Sequence, residues 1–196
     1  MELETFGLWS SFEVEVDPES PVRGWRCPTY TFDRDGVAVP GLDSIGPSLL
    51  IRVSTSSQEW VGRFMAGTAG GETCVVATPT PDVCCVISDG RAYLVDTEAS
   101  PPKAEVILEF VRTVEASSEA QLLVLADWNN AAAVGAGGVR SRTERLAIDD
   151  LVVSSVTTSG VFCECDSPGV GGVRRIVLDP RNGQQISGPR LPDQFR

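Results

Sequence analysis

The chain has 196 residues, of which 42% are hydrophobic and 22% charged, so it is long enough for one substantial core and short for two. It contains no histidine, which excludes Ser-His-Asp and Cys-His catalysis and histidine-ligated metal sites. The formal net charge is -11, from 27 acidic and 16 basic residues. A nucleic-acid-binding surface needs clustered basic residues, so we expect no nucleic-acid partner and favour a basic protein as partner.

The apolar runs are too short to cross a membrane. A typical one, residues 121–126, has the length of a strand. The N-terminal stretch carries acidic residues and no basic residue before Arg23, unlike a secretory signal. We therefore expect a cytoplasmic protein without a membrane partner.

The cysteines fit a reducing compartment. A zinc site of four thiolates typically uses two Cys-x2-4-Cys pairs, whereas this chain offers one adjacent pair and one Cys-x-Cys. We expect reduced thiols packed inside apolar strands and no metal ligands. The six residues are Cys27, Cys74, Cys84, Cys85, Cys163 and Cys165.

The first third of the chain contains several strand patterns. Residues 12–16 alternate strictly between apolar and polar side chains, which predicts a half-buried strand. Residues 30–33 and 36–39 flank a turn and predict a hairpin, and residues 48–53 predict another strand. Residues 55–64 are ambiguous between a strand and a helical turn capped by serine.

An internal repeat dominates the rest of the chain. Three apolar runs end in Asp89, Asp127 and Asp166, which are 38 and then 39 residues apart. Each run has a further strand pattern before and after it, so the unit contains three or four antiparallel strands in meander order. A period near forty is typical of a propeller blade. The residues three positions before each aspartate are expected to occupy equivalent core positions; they are Val86, Val124 and Cys163.

Residues 89–97 and 175–183 resemble the closing strands of propeller blades, in which a strand ends in Asp and enters a tight turn. Over residues 72–188 the arrangement is similar to a group of uncharacterised bacterial all-β proteins with propeller-like hairpin repeats. That resemblance implies a fold and no activity.

These patterns predict a single all-β domain over residues 1–196, with a divergent part over 1–70 and three hairpin units over 72–188. The predicted architecture is antiparallel meander hairpins in propeller-like units of about 40 residues. The alternative is a two-sheet β-sandwich or an open barrel built from the same hairpins. Closure of the units into a ring stays open.

No pattern in the sequence indicates catalysis. The chain has no nucleophile-elbow motif and no paired acids, so we expect no catalytic residues, no cofactor and no enzyme activity. Asp89, Asp127 and Asp166 would hold Ca²⁺ only if they converged. The favoured alternative is that each side chain binds the backbone of its own turn, so we predict no metal site.

The candidate binding residues are Trp128, Asn129 and Asn130, in a turn beside Asp127. We expect Trp128 at an accessible end of the fold. The first functional hypothesis is a non-catalytic protein-binding module, such as an immunity or adaptor protein that masks a basic partner. The alternative is a lectin-like module for a sugar or other small ligand, with Trp128 stacking on the ligand and the asparagine amides donating hydrogen bonds. The identity of the partner and the oligomeric state stay open.

Overall fold

The computed structural model describes residues 2–42, 46–67, 70–166 and 172–192. Every regular element in these residues is a β-strand. The strands are β1 (Leu3–Glu4), β2 (Glu13–Val16), β3 (Thr29–Phe32), β4 (Ala38–Pro40), β5 (Ser48–Ser54), β6 (Glu59–Met65), β7 (Cys74–Ala77), β8 (Val83–Ser88), β9 (Arg91–Asp96), β10 (Lys103–Leu108), β11 (Thr113–Ser117), β12 (Leu122–Ala126), β13 (Ala131–Gly135), β14 (Gly138–Arg142), β15 (Val152–Val156), β16 (Val161–Asp166), β17 (Val173–Leu178) and β18 (Gln185–Ser187).

The strands form four small sheets. The first sheet has the order β2-β5-β6-β3-β4, with β3 parallel to β6. The second has the order β1-β7-β8-β9-β10, and only β1 runs parallel to its neighbour there. The third contains β11 to β14 and the fourth β15 to β18, both as antiparallel meanders. The described residues contain no helix of the length and apolarity that crossing a bilayer requires.

The prediction of an all-β fold is confirmed, and its four small sheets are mostly antiparallel. The described residues form four sheets instead of the two of a sandwich, and none of the four closes into a barrel. The strands predicted in the first third of the chain are present as β2, the β3–β4 hairpin and β5. The ambiguous residues 55–64 contain β6, preceded by a turn in which the Thr55 hydroxyl accepts the N–H of Gln58.

Three apolar cores join consecutive sheets. The first and second sheets share a core around Trp60 and Tyr93, and the second and third share one around Ile87 and Leu125. The third and fourth share a core around Ile176. Within the described part of the chain these three cores link the sheets in the order first, second, third, fourth, and no such core joins the fourth sheet to the first.

The predicted equivalence of Val86, Val124 and Cys163 is wrong at the middle position. All three are at most 1% exposed and lie in the second meander strand of their sheets. Val86 and Cys163 face the preceding sheet, whereas Val124 faces the following one. Asp89 and Asp127 each come directly after the last residue of their strand, yet Val86 and Val124 face opposite ways, so the distance to the aspartate does not fix the face of a side chain. A shift of one residue reverses the face of a side chain.

The divergent first sheet is attached to the second mainly by aromatic residues. Phe32 stacks on Phe64 with 4.2 Å between ring centroids, and Tyr93 from the second sheet meets Phe64 edge-on at 5.2 Å. The Tyr93 hydroxyl donates to the Met65 carbonyl at 2.8 Å. Gly62 leaves space for these rings, because a Cβ there would lie 2.7 Å from a ring carbon of Trp60.

Candidate functional site

The predicted binding residues lie in the four-residue turn between β12 and β13. Oδ1 of Asp127 accepts the backbone N–H groups of Asn129 at 2.6 Å and Asn130 at 2.7 Å. This is the local bonding that favours aspartate at the start of a turn. The carboxylate of Asp127 therefore stabilises its own turn, as the favoured alternative to a Ca²⁺ site predicts.

Asn129 connects this turn to the segment between β14 and β15. Its side-chain amide donates to the carbonyl oxygens of Ala147 and Ile148. Its own carbonyl accepts the backbone N–H of Leu146 at 2.8 Å. The amide thus has partners inside the protein, and a ligand would have to compete with them.

Trp128 is half-buried, and one face of its indole is covered. The guanidinium carbon of Arg112 lies 3.8 Å from the ring centroid, which is a cation–π contact. The Trp128 carbonyl accepts the N–H of Leu151 at 3.1 Å. Arg112 is also a lining residue of a cleft that contains further candidate functional residues. Trp128 therefore contacts this cleft through Arg112.

This cleft lies where the first strands of three sheets approach one another. It has a volume of about 340 Å³ and is lined by residues at or beside β1, β7, β11 and β15. Two of the lining residues are hydrogen-bonded to each other: the Val153 N–H donates to the Thr113 hydroxyl at 3.4 Å. The charged lining residues are Glu4, Glu72, Arg112 and Glu115. We refer to this feature as the acidic cleft.

The electrostatics of the acidic cleft are dominated by its carboxylates. Burial raises the pKa of Glu115 above the ordinary glutamate range. Burial also raises the pKa of the Cys74 thiol to about 12, and the negative charges of Glu4 and Glu72 add to that effect. Three carboxylates face one guanidinium, so the cleft favours a positively charged group.

The acidic residues do not assemble a metal site in the described part of the chain, where no three Cys, Asp or Glu side chains are placed to share an ion. Asp89 lies in a tight turn with φ of 47°, followed by Gly90 with φ of 83°. Asp166 ends β16, and the turn after it lies outside the described residues. The three repeat aspartates therefore do not converge.

The cysteines are all free thiols. Five of them are buried, and Cys27 alone is intermediate in exposure. Cys165 contacts the guanidinium of Arg174, with 3.4 Å between Sγ and Nη2. None of the five buried thiols is exposed for attack on a substrate.

Sequence reasoning missed the acidic cleft, although a signal for part of it was present. Glu72, Arg112 and Val152 follow one another at a constant spacing of 40 residues, just before or at the first strand of each unit. Residues at equivalent points of a repeat meet at one end of the stacked sheets. No such signal exists for Glu4, because it lies on β1, which is not part of the repeat units over residues 72–188 and pairs with β7.

No family model matches the chain. A search of curated proteins also returns no significant match. The described residues form an all-β protein of four small sheets with an acidic cleft between three of them. The geometry of this cleft is the basis for inferring its function.

Proposed function

We propose that the chain is a non-catalytic binding module for a basic protein partner, in the manner of a cytoplasmic immunity or adaptor protein. The observation that carries the proposal is the acidic cleft, which is lined by Glu4, Glu72 and Glu115 in a chain of net charge -11. Six free thiols support a reducing compartment.

A lysine or arginine side chain of the partner fits the chemistry of the cleft. Glu4 and Glu72 are exposed, so they attract a cation from solution, and half-buried Glu115 lies in a less polar environment in which ion pairs are stronger. The Arg112 guanidinium lies against Trp128, which gives this one positive group a favourable contact away from the carboxylates. The long-range charge of the chain would speed the encounter with a basic partner.

The lectin-like alternative has less support from the geometry. Stacking on a sugar needs a free indole face, and Arg112 occupies one face of Trp128. The Asn129 amide already donates to two carbonyl groups. The binding role of Trp128, Asn129 and Asn130 stays a prediction.

The proposal is tested with a defined basic probe, a synthetic octapeptide of alternating lysine and glycine, titrated calorimetrically at low salt. We expect Glu72→Gln and Glu115→Gln each to weaken binding by about fivefold, since each removes one short-range charge pair. Glu119→Gln is the matched control, because it removes the same charge from an exposed turn outside the cleft. An equal loss in all three variants would show a response to total charge only and would refute the cleft as the site.

The pH dependence gives an independent check. The raised pKa of Glu115 means that this side chain gains a proton at a higher pH than an ordinary glutamate. Affinity of the wild-type chain for the peptide should therefore begin to fall at that higher pH, and Glu115→Gln should remove this early part of the decrease. A wild-type profile identical to that of Glu115→Gln would contradict the role assigned to Glu115.

A further inference from the structure

A second cavity lies at the other side of the third and fourth sheets and has the opposite charge. It has a volume of about 480 Å³ and lies between residues 142–146, at the end of β14 and just after it, and residues 182–191, around β18. It shares no lining residue with the acidic cleft. Its charged lining residues are Arg142, Arg145, Arg190 and Glu144. We call it the arginine groove.

The three guanidinium groups differ in how far their charge is offset. Arg145 donates to the backbone carbonyls of Ala147 at 3.0 Å and Ile148 at 3.2 Å, which hold the side chain without neutralising it. Arg142 pairs with Glu105 at 2.9 Å, but both side chains are more than half exposed, so solvent screens that pair. Arg190 makes no ion pair with any described residue.

A fourth arginine, which does not line the groove itself, adds positive charge next to one of its lining residues. Arg174 on β17 is 6% exposed, and its Nη2 donates at 2.7 Å to the carbonyl of Leu146, which lines the groove. Its Nε has no hydrogen-bond partner, and it pairs with no carboxylate among the residues described. A buried charge without a counter-ion is costly, so a nearby anion would be stabilising.

We propose that the arginine groove binds a small molecule through an oxyanion, a phosphate or carboxylate group. Guanidinium groups recognise both anions by paired, charge-assisted hydrogen bonds. The volume is in the range of small-ligand sites. The side-chain amide nitrogens of Asn182 and Gln184 add donors for the rest of the ligand. This site is independent of the acidic cleft and goes beyond the recognition of a basic partner.

The experiment titrates the whole chain with inorganic phosphate in one arm and citrate in the other, at constant ionic strength, by calorimetry. Whichever anion binds identifies the group that the groove prefers. Arg190→Gln should weaken that binding by about tenfold, the loss of one charge-assisted contact. This exposed, unpaired residue is chosen so that the fold is retained, which a denaturation curve verifies.

Arg34→Gln is the matched control, because it removes one exposed arginine from the β3–β4 turn in the first sheet. Unchanged binding by Arg34→Gln together with the loss in Arg190→Gln would support the site. Equal weakening in both variants would show a general charge effect and overturn the proposal. Absence of binding in both arms at millimolar anion would overturn it as well. Neither result bears on the acidic cleft, whose test uses a cationic probe.

Discussion

The buried cysteines show how a single strand divides its side chains between two cores. Cys84 and Cys85 are neighbours on β8, and each faces a different sheet: Cys84 the first, Cys85 the third. Cys163 and Cys165 are two residues apart and share the core between the third and fourth sheets. Burial raises the pKa of Cys84 and Cys163 to about 12 and that of Cys85 well above its ordinary value. These thiols stay protonated, and therefore weakly reactive, at neutral pH.

Burial of these thiols predicts a loss of stability in alkali. The thiols ionise near pH 9 in the unfolded chain and near pH 12 in the folded one, so the unfolded state binds fewer protons between these values. The free energy of unfolding should fall with rising pH in this window, by up to about 1.4 kcal/mol per pH unit for each such thiol. Denaturant titrations at pH 8, 9, 10 and 11 measure the slope.

Tyrosine and lysine also titrate in that window, so the comparison is made between variants. Cys84→Ala removes one fully buried thiol and should make the decrease shallower. Cys27→Ala removes the one cysteine of intermediate exposure and should change the slope less. A slope for Cys84→Ala equal to that of the wild type would mean that burial of this thiol does not govern the alkaline behaviour.

At the scale of elements, the turn between β12 and β13 has a structural role that its sequence does not reveal. An Asp-Trp-Asn-Asn turn is polar and aromatic, which is also the composition of a ligand-binding loop. The turn is hydrogen-bonded to residues 146–148, which lie in the segment between β14 and β15. These contacts depend on the stacking of the third sheet on the fourth, and no local sequence pattern reports that stacking.

We predict that Asn129→Ala is more destabilising than Asn130→Ala. The Asn129 amide donates to two backbone carbonyls, whereas the Asn130 amide makes one long contact of 3.4 Å with Asp127. Arg145 also donates to these two carbonyls, so they keep a donor in Asn129→Ala. The variant loses two hydrogen bonds of about 0.5–1.5 kcal/mol each, and should therefore lose about 1–3 kcal/mol of stability, whereas Asn130→Ala should lose less than about 1 kcal/mol. Thermal and denaturant unfolding measure both. Equal, small losses would free Asn129 for the ligand-binding role that the sequence favours.

Strand periodicity predicted most elements because alternation and turn residues are local signals. The order of the first sheet was not predictable in this way, since β3 pairs in parallel with β6 across a long connection. The acidic cleft likewise has one part that the sequence predicts and one part that it does not. The 40-residue spacing of Glu72 and Arg112 is visible in the sequence, but the position of Glu4 depends on the distant pairing of β1 with β7.

On the scale of the whole molecule, net charge describes the surface poorly. The chain carries -11, yet the lining of one cavity has an excess of carboxylates and that of another an excess of guanidinium groups. The two cavities lie in different places because the acidic one uses the first strands of the sheets, and the basic one uses the connections after β14 and around β18. The basic partner and the small anion that we propose would therefore not compete for the same groups.

The distribution of the described apolar cores predicts an uneven distribution of local stability. The second and third sheets have apolar cores on both faces, whereas the fourth has a described core on one face only. The contrast appears in single strands: β8 is buried along almost its whole length, whereas β17 alternates between buried and more exposed side chains. Burial on two faces removes more apolar surface from water per strand, so local opening should cost more there.

Hydrogen exchange followed by mass spectrometry tests this distribution. After correction for intrinsic rates, peptides covering residues 83–96 and 122–135 should exchange much more slowly than a peptide covering residues 173–187. The β17–β18 hairpin is the most informative part of that last peptide, because β18 is a short edge strand paired on one side only. Phe162 and Val173 are 37% and 63% exposed, as expected for a sheet with a core of described residues on its other face only. Protection of the fourth sheet equal to that of the second would require its outer face to be covered in solution, and would contradict the predicted difference in local stability.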